Sequence, residues 1–179
     1  MTDLATASDN RPGTMSPAAA NRTLSTKSIP VGERLILALD LDDVDQAKAL
    51  VESLGDSVTF YKLGLQLFMA GGYFGLLDWL AERGKKSFVD LKFFDVPQTV
   101  GAAVRQLNGR GATFATVHGN DAILKAACDA RDDIQILAVT VLTSLDNADL
   151  DSLGFRVDPA ALVLSRAKRA LQIGCDGVI

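Results

Sequence analysis

The stretch Phe88-Val89-Asp90-Leu91-Lys92-Phe93-Phe94-Asp95-Val96-Pro97-Gln98-Thr99 decides the fold and places the candidate site. It begins as a predicted strand over residues 87–91, which are mostly apolar and follow the turn-prone Gly84. Side chains at positions i and i+2 of a strand point to the same face, so Asp90 and Lys92 are predicted to project together. Charged side chains in an apolar strand are buried only when they are paired or used, so the stretch predicts a functional site.

The sequence on either side of this stretch alternates between strand-like and helix-like segments from about residue 34 onward. Apolar runs predict parallel strands at residues 35–39, 59–63, 87–91, 113–117 and 134–142, with a sixth from residue 176. Periodic segments predict helices at residues 44–54, 65–69, 74–83, 97–107, 121–131 and 159–173. Asp42 or Asp43 can cap the first helix, and a polar connection containing Asp146 and Asp149 precedes the last one.

Repeated strand–helix units of this kind favour an α/β fold. Right-handed crossovers between them imply a parallel sheet with helices packed outside it. A complete (β/α)8 barrel needs eight units, and this chain supplies five and the start of a sixth. From the pattern alone, an open, doubly wound sheet is the alternative.

Composition and charge disfavour several classes of protein. The 179 residues, 48% of them hydrophobic, predict one folded domain over residues 30–179. Residues 1–29, rich in Ala, Ser, Thr and Asn, predict a disordered N-terminal extension. A net charge of −4 disfavours nucleic-acid binding, and no apolar run approaches the ~18 residues of a membrane span. Cys128 and Cys175 fit no metal-ligand pattern and predict free thiols in a reducing cytoplasm.

Polar side chains fall at the ends of five consecutive predicted strands. They are Asp40, Lys62, the pair Asp90 and Lys92, His118, and Thr143. Barrel enzymes build their sites at this end of the strands, which favours a shared site. Taken singly, Asp40 or Thr143 could cap a helix or turn, and Lys62 could extend to solvent. His118 is predicted to be a structural imidazole with its hydrogen bonds satisfied, so it stays outside the catalytic set.

The run D-L-K-F-F-D-V-P-Q-T, residues 90–99, resembles the signature of bacterial orotidine 5′-monophosphate decarboxylases. The resemblance extends from about Leu35 to the end of the chain, and it favours a TIM (β/α)8-type barrel over the doubly wound sheet. Relative to that family the barrel is expected to be incomplete, with about five and a half βα units and a C-terminal truncation. The family's phosphate-binding loops follow later strands, so the resemblance leaves the activity of this chain alone open.

The resemblance implies an enzyme that converts orotidine 5′-monophosphate to UMP and CO2 in pyrimidine biosynthesis, without a cofactor or a metal. Lys92 matches the general acid that protonates C6, and Asp90 matches the carboxylate placed against the substrate carboxylate. Asp95 matches a residue that reaches the neighbouring site of a homodimer, with Thr99 beside it. The implied catalytic residues are Lys92, Asp90, Lys62 and Asp95. The implied substrate-binding residues are Asp40, Lys62, Asp90, Lys92, Asp95, Val96, Thr99 and Thr143.

Two other functions remain as alternatives. Metal-dependent relatives that act on hexulose or keto-gulonate phosphates also carry an Asp-x-Lys strand, but they lack the Phe-x-Asp-Val-Pro-x-Thr continuation present here. The second alternative is a catalytically inactive, truncated fragment that acts at most as a dimerising partner.

Overall fold

The computed structural model describes residues 27–179, in which Val31–Ile179 form one compact unit. The predicted disordered extension, residues 1–29, lies outside the described residues except for residues 27–29, which carry no regular secondary structure. The strands are β1 (Leu37–Ala38), β2 (Phe60–Gly64), β3 (Lys86–Phe93), β4 (Ala112–Val117), β5 (Gln135–Ala138) and β6 (Gly177–Val178). The helices are α1 (Val44–Leu54), α2 (Leu65–Met69), α3 (Tyr73–Glu82), α4 (Pro97–Arg105), α5 (Asp121–Ala130), α6 (Asn147–Ser152) and α7 (Pro159–Ile173).

The six strands form one parallel sheet whose spatial order follows the sequence, β1-β2-β3-β4-β5-β6. A doubly wound sheet would reverse its strand order at a switch point, and this sheet has none among the described residues. The uninterrupted order is that of a barrel, with six strands where a complete barrel has eight. The prediction of an incomplete (β/α)8-type barrel is therefore confirmed.

Local sequence signals explain most of the helix boundaries. The Asp43 side chain accepts a hydrogen bond from the Gln46 backbone N–H at 2.7 Å and begins α1, and Gly55 ends it with a φ of 50°. Pro97 occupies the first turn of α4, as predicted. Most predicted elements end within two residues of the observed ones, although the fifth strand stops at Ala138 rather than at residue 142.

The polar connection between β5 and α7 contains the short helix α6. Asp146 accepts a hydrogen bond from the Asp149 backbone, and the Asp149 side chain accepts one from the Asp146 backbone in return. This reciprocal pair is a capping box. The polar connection therefore contains a short helix that the sequence analysis did not predict, and two of its aspartates cap the start of that helix.

Two layers of side chains emerge from the sheet because strand residues alternate between its faces. On one face, residues such as Tyr61, Val89 and Ala115 pack into the main core with the helices. On the other face, the rings of Phe60 and Phe88 each contact the ring of Phe114, with centroid distances of 5.5 Å and 5.9 Å respectively. This aromatic layer forms the floor beneath the charged strand ends.

Candidate active site

A chain of alternating charges crosses the carboxyl ends of the first three strands. Lys62 Nζ lies 3.4 Å from Asp40 Oδ1 and 3.6 Å from Asp90 Oδ2. Lys92 Nζ lies 2.8 Å from Asp90 Oδ1. The order is therefore negative, positive, negative, positive, and the structure brings together four of the residues predicted from the sequence. We refer to Asp40, Lys62, Asp90 and Lys92 as the ion-pair chain.

The aromatic floor explains why the ion-pair chain forms where it does. Lys62 lies two residues beyond Phe60, and Asp90 lies two residues beyond Phe88. The two-residue period of a strand therefore places both charges on the same face as the phenylalanines, one layer nearer the carboxyl ends. Gly64 lies next to these charges, since a Cβ at this position would be in ordinary van der Waals contact with Asp40 Oδ1, at 3.5 Å.

Asp90 is the centre of the ion-pair chain and its most buried member, with 10% of its side chain exposed. Burial by itself would raise the pKa of this carboxyl. Hydrogen bonds from Lys92 and Thr116, together with the charges of Lys92 and Lys62, outweigh the effect of burial and lower its pKa below the ordinary value. Asp90 is therefore a fixed negative charge at neutral pH.

Lys92 adopts an unusual backbone conformation. Its φ of 47° lies in the left-handed region, and it is the one non-glycine residue with a positive φ among residues 27–179. The strand pairing explains why this conformation occurs at Lys92. Val89 pairs with Ala115 and Phe93 pairs with Val117, so β3 advances four residues where β4 advances two, and β3 therefore bulges by two residues. A left-handed conformation costs a non-glycine residue about 1–2 kcal/mol, which the surrounding contacts must offset.

Thr116 is a member of the site that the sequence analysis missed. Its side chain is fully buried on β4; Oγ1 accepts a hydrogen bond from the Lys92 backbone N–H at 2.9 Å and donates one to Asp90 Oδ1 at 3.0 Å. A threonine in a strand is ordinary by itself. The signal was the repeated pattern Phe-x-Lys, Phe-x-Asp and Phe-x-Thr at residues 60–62, 88–90 and 114–116.

The remaining predicted residues of the central stretch lie away from the ion-pair chain. Asp95, Val96 and Thr99 are exposed at the start of α4. Asp95 Oδ1 accepts a hydrogen bond from the Val96 backbone N–H at 2.6 Å, and in the described part of the chain Asp95 forms no ion pair. Their side chains are accessible to a partner, and their predicted roles stay predictions.

A cavity of about 780 Å³ opens beside Lys92, between the carboxyl ends of β3–β5 and helix α7. Lys92 is the one residue of the ion-pair chain that lines it, so the cavity adjoins the chain rather than enclosing it. Thr143 lies in the exposed turn after β5 and does not line this cavity. Arg166 of α7 does, and its Nη1 donates a hydrogen bond to the Thr140 carbonyl at 2.6 Å.

His118 also lines the cavity, and it differs from the prediction of a satisfied imidazole. Its Nδ1 is buried and has no hydrogen-bond partner among the described residues. Burial lowers the pKa of His118, and the nearby charge of Arg166 lowers it further. The ring is packed against Phe94, with centroids 5.1 Å apart. The prediction that the hydrogen bonds of His118 are satisfied was therefore wrong for Nδ1. Its predicted structural role stays a prediction, because a buried ring packed against Phe94 fits that role.

Two searches of residues 27–179 bear on other kinds of site. No group of three or more His, Cys, Asp or Glu side chains in this range is arranged to hold a metal ion. None of the helices in this range has both the length and the apolar character that crossing a membrane requires.

Comparison with known proteins gives a consistent set of similarities. Residues 33–179 match the model of the orotidine 5′-phosphate decarboxylase / HUMPS family. The chain is 65% identical over 156 residues to the orotidine 5′-phosphate decarboxylase of Methylococcus capsulatus, an alignment that covers 87% of this chain and 64% of that protein. It is 53% identical over 149 residues to the same enzyme of Rhodopseudomonas palustris, with coverage of 82% and 63%.

Solved structures agree with the sequence comparisons. The crystal structure of orotidine 5′-phosphate decarboxylase from Lactobacillus acidophilus superimposes with a TM-score of 0.75 at 38% identity, covering 80% of this chain and 69% of that one. The chain thus spans a little under two thirds of the length of the two relatives described above.

Proposed function

This chain belongs to the orotidine 5′-phosphate decarboxylase / HUMPS family, and on that premise we propose that it converts orotidine 5′-phosphate to UMP and CO2 in pyrimidine biosynthesis. The observation that carries the proposal is the ion-pair chain, in which Asp90 lies 2.8 Å from the ammonium of Lys92. The presence of this arrangement favours the decarboxylase over a catalytically inactive fragment. Residues 93–99 carry the Phe-x-Asp-Val-Pro-x-Thr continuation that the metal-dependent relatives lack.

The chemistry that this arrangement supports needs no electron sink from a cofactor. Loss of CO2 breaks the bond between C6 and the carboxylate and leaves the electron pair on C6. The Lys92 ammonium next to C6 stabilises that developing negative charge and then transfers a proton to it. The product is UMP, and the neutral amine of Lys92 regains its proton from water.

Asp90 has two roles in this proposal. It holds the Lys92 ammonium at 2.8 Å, which fixes the direction of proton transfer. It is also an ionised carboxylate that would face the carboxylate of the substrate, so loss of neutral CO2 relieves the repulsion between them. Lys62 balances the charge of Asp90, and Asp40 anchors Lys62 beside a ribose hydroxyl.

The exposed residues at the start of α4 support a second part of the proposal. We propose a homodimer in which Asp95, Val96 and Thr99 reach the substrate bound in the neighbouring protomer. Their exposure in the single chain leaves them free to do so. Thr143, in the turn after β5, is proposed to contact the substrate of its own protomer. A cytoplasmic location belongs to the same proposal.

The test is product formation by the 179-residue chain. Incubation with orotidine 5′-phosphate should give UMP and CO2 in equal amounts, measured by chromatography and trapped CO2. A hexulose phosphate with added Mg²⁺ should give no reaction. Absence of UMP from a preparation that melts cooperatively, or turnover of the hexulose phosphate, would contradict the proposed function.

A further inference from the structure

We propose that Thr116 is a positioning residue of this site, which holds Lys92 and Asp90 in their working geometry through a single hydroxyl. The catalytic part of this inference rests on the proposed decarboxylase function. The positional part rests on three hydrogen bonds and on the backbone of β3.

The three hydrogen bonds form a closed ring. Thr116 Oγ1 accepts from the Lys92 backbone N–H at 2.9 Å and donates to Asp90 Oδ1 at 3.0 Å. The same Asp90 oxygen accepts from Lys92 Nζ at 2.8 Å. Since a hydroxyl has one proton to donate, its direction is fixed by Asp90. Both the backbone and the ammonium of Lys92 are therefore tied to one hydroxyl–carboxylate pair.

The bulge of β3 explains why the backbone needs this hydroxyl. Residues between Val89 and Phe93 are out of register with β4, so the strand ladder does not supply a partner for the Lys92 N–H. The left-handed φ of Lys92 turns that N–H toward Thr116, whose side chain is completely buried. A buried N–H without a partner is unfavourable, so the hydroxyl stabilises the conformation that directs the lysine toward Asp90.

Thr116→Val tests this inference because valine keeps the shape of threonine and removes the hydroxyl. Thr116→Ser keeps the hydroxyl and removes the methyl group. Thr140→Val is a matched control just after β5, since Thr140 is also buried but donates its hydrogen bond to the Ile179 carbonyl at 2.9 Å. Thr116→Ala, which also lacks the hydroxyl, replaces the valine variant if that variant does not fold.

The first readout is the titration of the Asp90 carboxyl, followed by ¹³C NMR in the full 179-residue chain. Loss of the Thr116 hydrogen bond should raise the pKa of Asp90 in Thr116→Val, whereas Thr116→Ser and Thr140→Val should titrate as the wild type does. The second readout is kinetic: Thr116→Val should lower kcat by about tenfold or more with KM nearly unchanged, and serine should restore it.

The two readouts separate failure of the inference from failure of the proposed function. A wild-type chain without turnover would contradict the decarboxylase and leave the NMR result to decide the role of Thr116. An Asp90 carboxyl that titrates identically with and without the hydroxyl would overturn the positioning role, whatever the turnover.

A separate observation concerns the two thiols. Cys128 on α5 and Cys175 after α7 are 47 residues apart in sequence, yet their sulfur atoms lie 3.6 Å apart. We infer that they are a site of reversible oxidation by peroxides, which closes as a disulfide between α5 and the turn that precedes β6. This inference does not depend on the proposed function.

The surroundings of Cys175 hold the two thiols together. Arg131, directly after α5, donates to the Gly174 carbonyl at 2.9 Å and forms an ion pair with Asp176 at 2.9 Å. The residues on both sides of Cys175 are therefore tied to the end of the helix that carries Cys128. The sulfur atoms need to approach by roughly 1.5 Å to reach the ~2.05 Å of a disulfide.

The environment assigns different roles to the two thiols. The hydrogen bond from Cys175 is the largest influence on Cys128 and lowers its pKa, while burial opposes this effect and the charge of Arg131 adds to it. The same hydrogen bond and burial raise the pKa of Cys175. Cys128 is also the more accessible of the two, since it is half-buried whereas Cys175 is buried, so Cys128 is assigned as the attacking thiolate and Cys175 as the resolving thiol.

The reaction has two balanced steps. The Cys128 thiolate attacks one peroxide oxygen, the O–O bond breaks, and a sulfenic acid and hydroxide form. The Cys175 sulfur then attacks the sulfenic sulfur, its proton and the departing hydroxide form water, and the disulfide closes. The peroxide is reduced by two electrons, and a thiol such as dithiothreitol restores both cysteines.

Treatment of the 179-residue chain with one equivalent of hydrogen peroxide tests the inference. The protein should lose two hydrogen atoms in mass and both titratable thiols. It should run as a single chain on denaturing, non-reducing gels and melt at a higher temperature. Cys175→Ser should retain a sulfenic acid on Cys128 that dimedone traps, and Cys128→Ser should leave Cys175 unmodified. Accumulation of a sulfinic acid, or of disulfide-linked dimers, in the wild type would overturn it.

Discussion

Lys92→Ala is expected to lower kcat for orotidine 5′-phosphate by at least about 10³-fold, because it removes the proposed proton donor and, with it, the positive charge proposed to lie beside C6. Binding of UMP should change much less, since Asp40 and Lys62 remain paired at 3.4 Å. Steady-state turnover and UMP titration by calorimetry measure the two effects separately. A large loss of kcat with a nearly unchanged affinity for UMP would show that Lys92 acts in the reaction rather than in ligand binding.

Lys125→Ala is the matched control for this experiment. Lys125 is also paired with an aspartate, at 2.7 Å from Asp129, but it lies on the exposed surface of α5. The control should turn over as the wild type does. If Lys92→Ala keeps more than about a tenth of wild-type kcat, general acid catalysis by Lys92 is not the source of the rate.

Mixing Lys92→Ala with Asp95→Ala is expected to restore activity that neither variant has alone. In the proposed homodimer each site combines Lys92 from one protomer with Asp95 from the other. A heterodimer of the two variants therefore has one site with both lesions and one site with neither, as two-fold symmetry requires. Turnover per heterodimer should approach half that of the wild-type dimer, measured after the mixed protomers have re-equilibrated.

Two controls make the mixing experiment interpretable. Differently tagged protomers should co-purify, which shows that heterodimers form. When the double variant Lys92→Ala/Asp95→Ala is mixed with the wild type, each site of a heterodimer carries one of the two lesions. This mixture should therefore show only the activity of the remaining wild-type homodimers. Heterodimers that form and stay inactive would show that Asp95 does not act in the neighbouring site.

Much of the fold could be predicted because its signals are local. The Asp43 cap, the Pro97 helix start and the Gly55 stop act within one turn of a helix, and the structure places all three as predicted. The choice between a barrel and a doubly wound sheet is not local, because both use the same βα units. The resemblance carried by residues 90–99 decided it, and the strand order confirmed it.

The candidate site could be predicted in part for a similar reason. Charged residues at the ends of apolar strands stand out in the sequence, and the ion-pair chain consists of four of them. Thr116 and the pairing of Cys128 with Cys175 depend on contacts between segments far apart in the chain. The left-handed backbone of Lys92 arises from a mismatch between β3 and β4, which neither strand's own sequence reveals.

The most direct test of the central claim is the fate of the hydrogen at C6 of UMP. We claim that a proton from an exchangeable acid, the Lys92 ammonium, takes the place of CO2 at that carbon. Turnover of orotidine 5′-phosphate by the wild-type chain in D2O, followed by proton NMR, should give UMP with deuterium at C6 and with protium retained at C5. UMP that carries protium at C6, or that has exchanged at C5, would contradict a lysine donor acting at C6.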